Sequence, residues 1–245
     1  MSGFEAVLLL VGGAFAGAIN AMAGGGSMLT VPLLVLAGVP GVAANGSNRV
    51  GILTSNIASL TSYWREGVRV DTRTLGPILL PAIAGSLVGA FAISELTDEG
   101  FERFFGLLMI PLIILSIRKP KVAANPNGWP QALTIAVFFG IGIYAGAIQA
   151  GVGLVLLAAL SRAGFDLVTA NVIKVQFTFV ATLIALPVFI IQGNVRWLPA
   201  IVLAVGLSIG GWVGAKLAVR GGEKWIRVVM VVAALALAGR LIGLY

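Results

Sequence analysis

Apolar residues fill this chain in long blocks, and polar residues gather in short breaks between them. In the first half the blocks run over roughly 4–23, 27–38, 43–64, 73–95 and 101–117; in the second, over roughly 131–149, 151–162, 166–191, 197–219 and 225–244. Most hold about 20 residues, enough for a helix to cross ~30 Å of hydrocarbon, whereas a membrane barrel would show alternating segments of ~10. The pattern predicts an all-α polytopic membrane protein. The second block of each half is the exception. With about 12 residues it covers ~18 Å as a helix, too short to span comfortably. These two blocks are predicted to belong to broken or re-entrant units that meet near the membrane centre.

The chain also repeats itself. "AGAIN" at Ala16–Asn20 returns as "AGAIQ" at Ala145–Gln149, Ala44-Asn45 returns at Ala170-Asn171, and "GSLVGA" from Gly85 returns as "GGWVGA" from Gly210. The order is kept and the offset drifts only from 129 to 125, which points to duplication of half the chain. Residues 1–117 form the first repeat, 118–130 a polar, proline-bearing linker, and 131–245 the second repeat. Loop charges orient the two. Arg65, Arg69 and Arg73, the linker's Arg118, Lys119 and Lys121, and Arg220, Lys224 and Arg227 are expected on the cytoplasmic side by the positive-inside rule. The acidic loop from Glu95 to Glu102 is expected outside. Those assignments make the repeats inverted, with about five helical segments each, and matched helix breaks in inverted repeats point to a secondary transporter and its binding site.

Composition sharpens the reading. Charged residues are 10% of 245, against about 25% in a soluble domain, and mean hydropathy is +1.04. The formal charge of +7 sits mainly in short loops, so it reads as topology and not as nucleic-acid binding. No basic residue precedes the first block, which runs past Ala23, so the N-terminus is expected to be a span and not a cleaved signal. The chain has no cysteine and no histidine, which removes disulfides, thiolate chemistry and the usual zinc and haem ligands. No metal or cofactor is expected.

Candidate chemistry gathers at the breaks. Gly24, Gly25, Gly26 and Ser27 precede the short second block, and three adjacent glycines exceed what helix packing needs. Helix N-termini there would aim N–H groups at a ligand, and Gly151 and Gly153 offer a second such end. Asn20 and Gln149 occupy matching positions beside the two breaks, and Asn48 matches Lys174. Lys174 lies about 12 Å into its helix and Arg49 at comparable depth. Ionisable residues that deep are functional candidates by default. Gln176 adds a neutral polar group nearby. Together these residues are expected to bind a small anion.

The stretch "GAFAGAINAMAGGGSMLTVPLLVLAGVPGVAANGSNRV" resembles the opening signature of the sulfite exporter TauE/SafE family of anion transporters. Asn20, Gly24 to Ser27, Pro32, Gly38, Pro40 and Asn48 stand where that pattern wants them, while "AGAIQAGVG" lacks the serine run of the second half. The resemblance implies transport of sulfite, or of an organosulfonate or thiosulfate-like anion, across the bacterial inner membrane by a multi-pass protein. Alternating access would come from rocking of one inverted half against the other. An anion channel of the same architecture is the alternative. An intramembrane hydrolase using Ser27 and Lys174 is a weaker one, because no hydrolase motif accompanies the pair. The expected partners are a small anion and the lipid bilayer, with no nucleic acid. Substrate identity, direction of flux, the coupling ion (a proton among the candidates) and oligomeric state (a dimer among them) stay open.

Overall fold

A computed structural model describes residues 1–117 and 129–241, the backbone alone being described at residues 72, 113, 115–117 and 221–241. Most of the linker, 118–128, lies outside the described residues. Every regular element in the described residues is helical. In chain order these are α1 (Gly3–Ala23), α2 (Ser27–Leu36), α3 (Gly41–Arg65), α4 (Thr72–Ser94), α5 (Asp98–Ile117), α6 (Gln131–Ala147), α7 (Val152–Arg162), α8 (Leu167–Ile191) and α9 (Trp197–Leu241). Among the described residues, four stretches are long and apolar enough to cross a membrane: α1, Arg73–Ser94 of α4, α8, and Trp197–Arg220 of α9.

The short elements fold back. A Cβ on Gly26, at the start of α2, would strike Ala16 and Asn20 of α1, while one on Gly12 would touch the Leu33 side chain seven residues later in α2. The helix pair α1–α2 is therefore an antiparallel hairpin. The pair α6–α7 behaves alike, since Ala163 and Phe165, just past α7, line one cavity with Trp129, Gln131 and Thr134 at the start of α6. Both hairpins enter the bundle and return to the face they came from.

Close glycine contacts hold the remaining helices. Gly13 and Gly17 of α1 lie against Leu203 and Leu207 of α9, and Gly210 and Gly214 lie against Ala14 and Ala18. The two helices therefore run parallel. Gly85 and Gly89 of α4 meet Phe139 and Ile143 of α6 in the same parallel sense. An added Cβ would overlap backbone at Gly17, Gly85, Gly89, Gly210 and Gly214 and press on the Leu203 carbonyl at Gly13, so the glycines serve approach of the helices.

The loops separate into two faces. On one, Glu66 pairs with Arg220 at 3.1 Å, and Arg73 lines a cavity of about 420 Å³ with Trp129 and Phe165. On the other, the Val42 N–H donates to Asp98 (2.9 Å), the Arg196 N–H to Ser47 (2.8 Å), and the Asn194 amide to the Ser94 carbonyl (3.4 Å). The first face carries Arg65, Arg69, Arg73 and Arg220; the second carries Glu95, Asp98, Glu99 and Glu102.

One expectation changes. The separate segments at 197–219 and 225–244 are a single helix, α9, about 68 Å long at 1.5 Å per residue. No proline follows Pro199 to remove a ladder hydrogen bond, and the Gly221-Gly222 pair does not break the helix.

Candidate functional site

The tips of the two hairpins meet in the interior. Helix α1 ends at Gly24, which takes φ +77° as a left-handed cap and returns its N–H to the Asn20 carbonyl. Helix α6 ends before Ile148, and the chain then passes through Gln149 at φ +63° and Gly151 at φ +71°. Gln149 is the sole non-glycine residue with positive φ among those described, a conformation that a side chain makes costly and that here marks the second break. The backbones of Gly24 and Gly153 touch: a Cβ on either would overlap the other residue.

A single hydroxyl ties the breaks together. Ser27 Oγ donates to the Gln149 carbonyl (3.3 Å) and accepts from the Gly151 N–H (3.1 Å). The Gln149 side-chain amide donates to Thr182, whose own hydroxyl donates to the Thr178 carbonyl (2.5 Å). The one Thr182 proton is thus committed, so Gln149 must present its NH₂ there. That leaves Gln149 Oε1 buried without a partner.

The two buried cations close the broken helices. Arg49 of α3 donates to the carbonyls of Ala145 (3.1 Å), Gly146 (2.5 Å) and Ala147 (3.0 Å), the last residues of α6. Its guanidinium sits 4.4 Å from the Phe189 ring centroid, and Asn45 adds a bond to the Ala147 carbonyl (2.8 Å). Lys174 of α8 donates to the carbonyls of Asn20 (2.6 Å) and Ala21 (3.1 Å), at the end of α1, and to Asn171 Oδ1 (2.7 Å). Neither α1 nor α6 has a basic residue in its own last turn. The terminal carbonyls and negative dipole ends are instead met by a cation from another helix, which at α1 adds to the bonds that Asn20 already accepts from Gly24 and Ala21 from the Tyr63 hydroxyl. An ammonium has three donors, and all three of Lys174 are in use.

Other polar groups are left over. Asn48 is wholly buried, yet neither its Oδ1 nor its Nδ2 has a partner. Arg49 Nε, Asn45 Oδ1 and Gln176 Oε1 are likewise unpaired. The N–H groups of Gly25, Gly26, Ser27 and Gly153 make no hydrogen bond among the described residues. Buried polar atoms are rarely orphaned, and leaving one unmet costs about 1–3 kcal/mol. The cavity of about 420 Å³ touches none of these residues.

Residues 9–241 match the model of the family described as sulfite exporter TauE/SafE. The chain belongs to that family. Among curated relatives, the probable membrane transporter protein ORF9 of Sinorhizobium sp is 30% identical over 96% of this chain and 91% of its own length. A probable membrane transporter protein of Haemophilus influenzae is 25% identical over 97% and 94%, and YfcA of Escherichia coli (strain K12), a probable membrane transporter protein, 27% over 93% and 86%. No solved structure matches.

As a TauE/SafE transporter the chain is not an enzyme, and the hydroxyl of Ser27 and ammonium of Lys174 bond to other groups, not to each other. The breaks of this TauE/SafE chain bring together Asn20, Gly24, Ser27, Gln149, Gly151, Gly153 and Lys174. Arg49 joins them through the end of α6. Sequence reasoning missed Thr182, Tyr144 (hydroxyl to the Ala150 carbonyl) and the partner roles of Asn45 and Asn171. The two asparagines carried a signal, the Ala-Asn pair that recurs at Ala44-Asn45 and Ala170-Asn171. Tyr144 and Thr182 carried none.

Proposed function

We propose that this membrane transporter is a secondary transporter of a small sulfur-containing anion, sulfite or an organosulfonate or thiosulfate-like ion. It would work by alternating access in the bacterial inner membrane, with its site at the meeting of the two breaks. One observation carries the anion. Arg49 and Lys174 are wholly buried, and among the described residues no Asp or Glu is buried to offset them. Unpaired buried charge is costly enough that its retention calls for a counter-ion. Oxygens of that anion would be held by Asn48 Nδ2, Arg49 Nε and the free N–H groups of Gly25, Gly26, Ser27 and Gly153, with Asn20, Gln149, Gly151 and Gln176 shaping the surroundings.

We read the two hairpins as the cores of inverted repeats, because they enter from opposite faces and present matched cation-capped ends. With no buried carboxylate among the described residues to relay it, a coupled proton would travel on the substrate. Purified protein in liposomes, offered sulfite, thiosulfate, sulfoacetate, sulfate and simple carboxylates, tests the reading. Saturable flux of a sulfur anion, lost in Arg49→Met, is expected. Non-saturating flux would favour the channel, and selectivity for cations would reject an anion site.

A further inference from the structure

The packing groups the helices differently from the sequence. Helix α1 of the first half packs most extensively on α9 of the second, and α6 of the second on α4 of the first. Both joints are lined by glycine and alanine with backbone in direct contact. Such interdigitated surfaces have no slack for sliding. An apolar core built from Ile78 of α4, Phe138 of α6, Leu156 of α7 and Phe177 of α8 contains no residue of α1, α2, α3 or α9. Helix α3 in turn packs on α9, with Ser55 and Ser62 bonded to the Leu207 and Trp212 carbonyls.

Apolar as well as polar contacts run between these groups: α8 packs on α3 as extensively as on α4, and the larger apolar core holds Ile52 and Leu60 of α3 together with Val175 and Phe189 of α8. Arg49 and Asn45 reach from α3 to the end of α6, Lys174 reaches from α8 to the end of α1, Ser27 joins the breaks, and Asn56 of α3 bonds Thr178 of α8 (3.1 Å). Each is a hydrogen bond that an anion or water could replace.

We infer that the bodies which move in transport are α1–α2–α3–α9 and α4–α6–α7–α8, each drawn from both halves, and that the bonds from Arg49 and Lys174 to the ends of α6 and α1 latch them shut. The inference rests on the transporter reading. It replaces the rocking of one sequence half on the other. Anion binding near Arg49 Nε would draw the guanidinium from the α6 carbonyls and open the seam.

Distances between spin-label pairs decide the matter, in a chain that has no cysteine of its own. Phe4, Leu80, Leu133 and Leu198 are exposed labelling positions on α1, α4, α6 and α9. Thioether-linked labels on F4C with L198C, and on L80C with L133C, report within the inferred bodies. Labels on F4C with L80C, and on L133C with L198C, report between bodies but within a sequence half. Combining R49M with K174M should move the between-body distances by roughly 5 Å, about a helical turn, while the within-body distances hold. The single variant K174R, which keeps the charge, should keep the wild-type distances. Fixed between-body distances, or within-body distances that shift with them, overturn the inference. If the double variant does not purify as a single species, S27A with N45A removes two weaker latches and must give the same pattern. Thiosulfate flux in liposomes is measured separately. Absence of all anion flux with the distance pattern intact rejects the transporter reading and leaves the two bodies standing.

Discussion

The three glycines of "GGGS" do different work, and single substitutions separate them. Gly24 combines φ +77° with backbone contact to Gly153, and a Cβ on Gly26 would overlap the Ala16 carbonyl. Gly25 has neither constraint: its added Cβ would lie 3.8 Å from Leu154, an ordinary contact. Gly24→Ala and Gly26→Ala should therefore lower the melting temperature in detergent by several degrees, through strain and overpacking of about 1–3 kcal/mol. Gly25→Ala should leave melting nearly unchanged, within about 0.5 kcal/mol, and weaken anion affinity. Ser27→Ala strands the Gly151 N–H and should cost about 1–3 kcal/mol of stability. The run itself was legible in the sequence, as were Arg49 and Lys174 as charges too deep for comfort. Their partners were not. Backbone carbonyls have no letter in a sequence, and a guanidinium that caps another helix reads the same as one awaiting an anion.

Boundaries of the long helices were legible where side chains cap them. Asp166 accepts from the Val168 and Thr169 N–H groups, both at 3.0 Å, at the start of α8. Burial pushes its carboxyl pKa up, but the hydrogen bonds from Thr169 and Val168 more than offset that and hold it below its ordinary value. A depressed carboxylate pKa contributes stability that is full above the unfolded value and is lost as pH falls through the folded one. Asp166→Ala should cost about 1 kcal/mol at neutral pH, and Asp166→Asn much less, because asparagine also caps. The wild type's stability advantage over each variant should shrink as pH falls through the Asp166 pKa, while the difference between the two variants, neither of which titrates at 166, stays fixed; thermal melts at a series of pH values would show both. The unbroken α9 was not legible. Two glycines beside basic residues look like a loop by composition, yet glycine only weakens a helix where proline would end it.

At the scale of the molecule, the matched stretches and the short blocks were visible in the sequence, but the packing of α1 on α9 and of α4 on α6 was not. Composition places a helix in the membrane without naming its neighbour, and the small residues of α1, α4, α6 and α9 would serve any close pairing. The structure does commit the loops to two faces, and loop charge says which is which. Leu96 and Gln192 lie on the acidic face; Gln131 and Arg69 lie on the basic one. All four are exposed. Single cysteines at these positions should divide two and two. L96C and Q192C should react with an impermeant maleimide in intact cells, while Q131C and R69C should react only once the membrane is opened, since arginine-rich loops stay inside. The α1–α2 hairpin would then enter from outside and α6–α7 from inside, each stopping where Gly24 meets Gly153. Reaction of Leu96→Cys and Gln131→Cys from the same side would be incompatible with hairpins entering from opposite faces. It would also remove the basis for a site reached alternately from either side.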